Sequence, residues 1–261
     1  MLSIDRGRLP LPPTRRVPMN ITVLGTGSVG LITGVSLAYL DHPTLCAELS
    51  HPAPKRDDGI GSWEPGLNEL LLTTIHRQTL RFASDLSEAV READVIYIAA
   101  GNSSSPHDSV NSTLYRPALE AIAFHAPRNP LVVLQGTVPQ GMTKATQRFL
   151  RKHSGNETLS VVHHTEWMRR GKGIRDFFQS NRLVIGTRSE RAREVTEEIY
   201  RDLPISIRYT DPSHSEWIQY AYQACLVPLS SNFVLSFWKD GHGNDRGRFS
   251  PSLHIGGKGT P

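Results

Sequence analysis

The 261 residues predict an α/β fold, a doubly wound parallel sheet followed by a long C-terminal helix, on three observations. Short β-branched and apolar runs alternate with longer amphipathic stretches from Met19 onward, and strands that alternate with helices pair in parallel across the helical connections. Glycines stand at positions 25, 27 and 30, where the first strand passes into the first helix. Hydrophobic content is 38% against 21% charged residues, which suits a packed core, and no apolar run approaches the roughly 20 residues of a membrane-spanning helix.

Taken in chain order, residues 1–18 hold Pro10, Pro12, Pro13 and Pro18, whose fixed φ and missing N–H groups predict a disordered leader. Strands are expected at Ile21–Leu24, Thr44–Glu48, Leu80–Ala83, Val95–Ala99, Leu131–Gln135, Leu159–Val162, Arg182–Gly186 and Ile205–Tyr209. Between them, helices are expected at Val29–Leu40, Leu67–Arg77, Asp85–Ala93, Tyr115–Phe124, Thr143–Arg151 and Glu190–Tyr200. Pro65 suits a first helical turn. Ser84, with Ser87 three residues on, has the spacing of a reciprocal cap and reads as structural.

The first strand-to-helix junction reads Leu24-Gly25-Thr26-Gly27-Ser28-Val29-Gly30, the place and spacing of a dinucleotide-binding turn in a Rossmann-like fold. Gly25 permits the tight turn, Gly27 lets backbone approach a pyrophosphate, and Gly30 lets helix and strand pack closely. The N–H groups of the helix N-terminus face the anion. The second strand ends at Glu48. An acid there accepts the hydroxyls of an adenosine ribose and repels a 2′-phosphate, so NAD is favoured over NADP. The fourth strand runs into Gly101 and a Ser-rich loop on the same edge of the sheet, where ligands of such folds bind. The expected cofactor contacts are therefore Gly25, Gly27, Ser28, Val29, Gly30, Glu48, Gly101 and, after the fifth strand, Thr137.

Net charge is +4, but its location argues against a nucleic-acid partner. Arg6, Arg8, Arg15 and Arg16 against Asp5, and Lys239, Arg246, Arg248 and Lys258 against Asp240 and Asp245, carry more than the whole excess. The body is nearly neutral, as in a metabolite-binding domain rather than a phosphate-tracking surface. Two cysteines, Cys46 and Cys225, do not make a disulfide framework, and with no apolar signal stretch the expected location is cytoplasmic. His163 and His164 are adjacent on a strand and face opposite sides, so no metal is assigned. The run Arg169-Arg170-Gly171-Lys172 reads equally as a phosphate contact and as a solvated turn.

Several segments fall in a familiar order: Gly-Thr-Gly-Ser-Val-Gly from Gly25, Trp-Glu-Pro-Gly-Leu from Trp63, Ala-Asp-Val-Ile-Tyr-Ile-Ala from Ala93, and Gly-Thr-Val-Pro-Gln-Gly from Gly136. They continue with Glu166-Trp167-Met168-Arg169-Arg170-Gly171, Asn181-Arg182-Leu183-Val184-Ile185-Gly186 and Ser215-Glu216-Trp217-Ile218-Gln219-Tyr220-Ala221. From Met19 to Leu235 the chain resembles the UDP-glucose/GDP-mannose dehydrogenase family. The resemblance implies NAD-dependent oxidation of the C6 alcohol of a UDP- or GDP-sugar, by two hydride transfers through an aldehyde held on a cysteine. It also implies a dinucleotide domain over 19–212, a central homodimer-forming helix over 213–238 and a Gly-rich tail over 239–261, with almost nothing left for a sugar-nucleotide domain.

Carried over residue by residue, the resemblance gives Thr137 a role in ordering water and makes Glu166 the first of two acids. Substrate contacts fall to Glu166, Trp167, Met168, Gln219 and Gln223. The chain also departs from the family. Arg170 replaces the second acid, reversing its charge. Gln219 and Gln223 stand where Lys and Asn stabilise oxyanions, and loss of one such donor raises a barrier by about 2.7–4 kcal/mol in comparable sites. Neither Cys46 nor Cys225 occupies the position of the family's nucleophile, and one alignment of the tail puts Gly259 there. Two readings follow: a nucleotide-sugar dehydrogenase impaired in this chain, or a non-catalytic NAD-binding relative.

Overall fold

The computed structural model describes residues 17–49, 64–99, 115–127 and 129–226, the side chains of 223–226 excepted. Eight strands, β1 (Ile21–Leu24), β2 (Thr44–Ala47), β3 (Leu80–Ala83), β4 (Val95–Ile98), β5 (Leu131–Gln135), β6 (Ser160–His164), β7 (Arg182–Gly186) and β8 (Ser206–Thr210), form one sheet. Their order is β3-β2-β1-β4-β5-β6-β7-β8. The strand order reverses between the parallel β1 and β4, which places a crevice at the carboxyl ends of these strands, where ligands of open α/β sheets bind.

The helices are α1 (Ser28–Tyr39), α2 (Leu67–His76), α3 (Leu86–Val90), α4 (Arg116–His125), α5 (Met142–Ser154), α6 (Gly173–Gln179), α7 (Glu190–Ile199) and α8 (Pro212–Leu226). Central strands are largely apolar because both of their faces are covered, with Thr22 of β1 and Gln135 of β5 the buried polar exceptions. Ile21, Val23, Val95 and Tyr97 pack with Leu31 and Val35 of α1, Leu67 and Leu70 of α2, and Phe177 and Phe178 of α6. Leu24, Ile96 and Ile98 point the other way, onto Leu119 and Ile122 of α4 and Leu150 of α5.

The architecture agrees with the sequence-based expectation, with local differences. β6 and β7 are antiparallel, His163 opposite Gly186 and His164 opposite Ile185, whereas every other pair is parallel. The chain leaving β6 stays at the carboxyl edge, where α6 is held by the Ile174 N–H donating to Glu64 Oε1 at 3.0 Å. It then re-enters the sheet from that edge in the opposite sense. Side-chain alternation is the same for either direction, so periodicity does not reveal the reversal. The seven-residue α6 is likewise too short to leave a helical period. The cap of α3 is Asp85 rather than Ser84: its backbone is extended and its carboxylate accepts the Glu88 N–H at 3.1 Å. Pro65 lies outside α2, which begins after a left-handed Gly66 (φ 85°).

α8 opens at Pro212 and packs on β6, β7 and α5; the remainder of the helix expected over 213–238 lies outside the described residues, as do the leader to residue 16 and the tail. No helix among the described residues is long and apolar enough to cross a membrane.

Candidate functional site

The glycine turn is built by close contact. Gly25 has φ 104°, and a Cβ there would lie 2.4 Å from the Ala99 carbonyl oxygen. A Cβ on Gly30 would lie 1.9 Å from the Gly25 oxygen. Gly27 is the opposite case, with nothing among the described residues within 4 Å of an added Cβ at the N-terminus of α1. The first intrahelical bond of that helix runs from Leu31 N to Gly27 O at 2.9 Å, so the N–H groups of Ser28, Val29 and Gly30 have no intrahelical acceptor. No side chain caps them and no acid occupies the first turn. The arrangement suits an incoming anion.

Glu48 follows β2 directly and is half-buried. Its carboxylate turns toward the glycine turn, accepting the Thr26 hydroxyl on one oxygen and the Leu49 N–H at 2.9 Å on the other. The acid is thereby fixed beside the glycine turn.

A second group of residues lines the carboxyl ends of β5 and β6. Gly136 (φ 95°) turns the chain out of β5, and the buried hydroxyl of Thr137 finds no partner among the described residues. Buried hydroxyls are nearly always bonded, so an orphan at a ligand edge fits a group supplied by a ligand or water. On β6, His163 and His164 point to opposite faces, as their adjacency requires. His163 donates from Nε2 to the Gly136 carbonyl at 2.8 Å, and its Nδ1 meets the Ser215 hydroxyl at 2.9 Å. His164 Nε2 meets the Tyr200 hydroxyl at 2.8 Å, which in turn lies 3.2 Å from that of Tyr97. Burial pulls His163 down to about 4 and His164 to about 3, so both are neutral at pH 7.

Glu166 is 5% exposed. Burial pushes its carboxyl up to about 7, against the lowering effect of the Met168 N–H that it accepts. A carboxyl balanced near neutrality can both hold and release a proton at working pH. With His164, Met168, Phe177 and Tyr200 it lines a pocket of about 40 Å³, room for a few waters but far below the several hundred Å³ of a typical ligand pocket.

Residues 19–204 match the NAD-binding domain of the UDP-glucose/GDP-mannose dehydrogenase family. The chain belongs to this family. It is 36% identical over 212 residues to the UDP-glucose 6-dehydrogenase YwqF of Bacillus subtilis strain 168, an alignment covering 80% of this chain and 48% of that protein. In fold it is similar to a UDP-glucose dehydrogenase from Pyrobaculum islandicum (TM-score 0.73, 29% identity, 83% of this chain and 51% of the other). It is also similar to the GDP-mannose dehydrogenase of Pseudomonas aeruginosa, solved as a ternary complex (TM-score 0.70, 25% identity, 79% and 50%). The chain thus spans about half the length of these dehydrogenases.

The NAD-binding domain that the family match names suits the cradle observed among the described residues: an uncovered Gly27, helix N–H groups without intrahelical acceptors, an acid beside the turn and a Thr137 hydroxyl with no partner. Gly101 lies outside the described residues, and so does the side chain of Gln223. Trp167 and Met168 are half-buried beside Glu166, the indole ring of Trp167 meeting Tyr222 edge-on at 4.4 Å. Gln219 is fully buried and turned onto backbone: its Oε1 accepts the Glu166 N–H at 2.7 Å and its Nε2 donates to the Glu166 carbonyl at 3.0 Å. Arg169 is committed to Asp176 through a bidentate pair, which answers the basic run with a turn clamp at that residue. The structure adds three residues to which sequence reading assigned no role at this edge: His163, Ser215 and Glu216. The motif containing Ser215 and Glu216 was visible; their partners, more than 50 residues away in the chain, were not.

Proposed function

We propose that this chain forms the NAD-binding part of a dehydrogenase that oxidises the C6 alcohol of a UDP- or GDP-sugar. The observation that carries the reading is the meeting, on one sheet edge, of the open Gly27 turn with its fixed Glu48 and of the Thr137 and Glu166 pair. Bound NAD supplies the hydride acceptor. The turn and the α1 N–H groups bind the pyrophosphate, and Glu48 accepts the adenosine ribose hydroxyls while repelling a 2′-phosphate. Thr137 orients water or the sugar hydroxyl at the nicotinamide half. Glu166 holds or accepts the proton that leaves the alcohol, and Trp167 and Met168 bound the sugar's approach. Gln219 supports this edge by fixing the Glu166 backbone. It replaces a cationic donor with a neutral one, so turnover is expected to be slow relative to members that carry a lysine. The outward side of α8, with Ile218 exposed, is where a second copy would pack to form a homodimer. The buried, unpaired Cys46 thiol accords with work in a reducing cytoplasm.

Titration of the chain with NAD and NADP, followed by UDP-glucose and GDP-mannose with detection of NADH, tests the reading. NAD binding tighter than NADP, with sugar-dependent NADH formation, is the expected result. Tight NAD binding with no NADH from any nucleotide sugar would reduce the chain to a binding module, and absence of NAD binding would remove the proposal altogether.

Glu48→Ala should separate the two cofactors. A hydrogen bond to a charged group contributes about 1.5–3 kcal/mol, so NAD affinity should fall roughly 10–100-fold. NADP, which gains nothing from that acid, should bind no more weakly than before. Calorimetry with both dinucleotides reads the difference, and an equal loss for both would mean that Glu48 serves only to hold Thr26.

A further inference from the structure

We propose that Glu216 of α8 is a positioning residue for the nicotinamide half of the site, fixing the first turn of α5 and with it the 136–141 loop that carries Thr137. The α5 helix begins at a left-handed Gly141 with no side-chain cap of its own and no acid in its first turn. Its leading N–H groups therefore need an acceptor from elsewhere. Glu216, 2% exposed, supplies one from 73 to 75 residues further along the chain. One carboxylate oxygen accepts the Gly141 N–H at 2.7 Å; the other accepts the Thr143 N–H at 2.9 Å and the Thr143 hydroxyl at 2.6 Å. Three donors facing a carboxylate at the positive end of a helix are charge-assisted bonds in low dielectric.

The neighbouring residue holds the other end of the same loop. Ser215 meets His163 Nδ1, and His163 Nε2 donates to the Gly136 carbonyl. Consecutive α8 residues thus pin the loop at Gly136 and at Gly141. Thr137, between them, has no partner for its hydroxyl among the described residues. Where that hydroxyl faces is consequently set by the two ends and not by any bond of its own. One turn further on, Gln219 holds Glu166 by its backbone, so α8 sets both residues assigned to the chemistry. In a doubly wound sheet β1–β3 serve the adenosine half of a dinucleotide and β4–β6 the other half. Loosening this strap should therefore be felt at one half of the ligand only. This inference rests on the NAD reading above.

The test uses the full 261-residue chain, wild type and Glu216→Gln, with two readouts. The glutamine is nearly isosteric but turns an NH₂ toward one of the two backbone N–H groups. Hydrogen exchange should quicken by about 10-fold or more over residues 136–145 and stay unchanged over α1. In calorimetry NAD affinity should fall roughly 10-fold relative to ADP, which carries the adenosine half without the nicotinamide riboside. Exchange that quickens evenly across the domain, or equal weakening of both ligands, would overturn the proposal and leave Glu216 a purely structural residue. Wild-type protein that binds neither ligand would remove the NAD reading, while the exchange pattern would still decide what Glu216 does. If Glu216→Gln fails to fold, Thr143→Ala, which deletes one of the three donors, is measured in the same two ways, and the same results support or overturn the proposal.

Discussion

Gly27→Ala is expected to lower NAD affinity roughly 10–100-fold, the worth of one charge-assisted contact, while leaving the domain folded. The position has nothing within 4 Å of an added Cβ and a φ of −63° that alanine adopts freely, so the new methyl disturbs no packed neighbour. Its cost to the fold is limited to the poorer helix-capping of alanine, about 1 kcal/mol, or about 2–4 °C in Tm for a domain of this size. The methyl occupies the space through which backbone would reach a pyrophosphate. Gly30→Ala makes the contrast. Its Cβ would sit 1.9 Å from the Gly25 oxygen and 3.1 Å from the Ala99 Cβ, both held by the sheet, so α1 must move off β1. Such overpacking costs about 1–3 kcal/mol or more and displaces the helix N–H groups that face the anion. Melting curves and NAD titrations of the two variants should therefore separate: binding lost with the fold kept for Gly27→Ala, both impaired for Gly30→Ala. Full NAD affinity in Gly27→Ala would mean that the cofactor does not cross this turn.

Glu166→Gln is expected to stabilise the protein increasingly with pH, by about 3 kcal/mol at pH 8 and by almost nothing at pH 4. The carboxyl titrates near 7 in the fold, against an ordinary 4.5, because burial disfavours its charge. Between these values the folded protein keeps a proton that the unfolded chain gives up. Raising the pH through this window therefore removes stability, and above pH 7 the loss is complete. Glutamine is neutral throughout and escapes it, so Tm should rise by about 6–12 °C at pH 8. His163 and His164 act in the opposite direction. Their folded values near 4 and 3 lie below the ordinary 6.5, so the stability they contribute is whole above pH 6.5 and lost as pH falls through 4 and 3. Both proteins carry these histidines, and their contribution cancels in the difference. Thermal melts of the pair from pH 4 to pH 8 measure it; a gap that does not change with pH would show that Glu166 is ionised as readily in the fold as in the open chain. The same substitution removes the group proposed to hold the alcohol proton, so added stability and lost NADH formation should appear together.

Much of the fold was legible because its signals are local. Ile21–Leu24, Leu80–Ala83, Leu131–Gln135 and Arg182–Gly186 have the bounds their β-branched and apolar runs suggest, and the other strands differ only at their ends. The glycine turn was legible for the same reason: tight turn, close backbone approach and helix start all fall within Leu24–Gly30, and the acid that answers them lies at the end of the next strand. Asp85 shows the limit of such reading. Ser84 and Asp85 are both good caps by residue type, and only the extended backbone at Asp85 with its bond to Glu88 chooses between them.

The edge proposed for the chemistry was half legible. Resemblance supplied Thr137 and Glu166, and structure placed them at the ends of adjacent strands. It also changed the sense of Gln219, which as a lone letter suggests a weakened oxyanion donor and in the fold is occupied at both ends by the Glu166 backbone.

Local pattern in the chain was sufficient for the alternating layers, the glycine turn and the acid beside it, since each depends on residues near one another in sequence or on strand order. Folding alone decided the reversal at β7, the elevated carboxyl at Glu166, and the union of Gly136, Gly141, His163, Ser215 and Glu216 into one clamp. These depend on desolvation and on hydrogen bonds between residues up to 75 positions apart, quantities that no window of sequence contains.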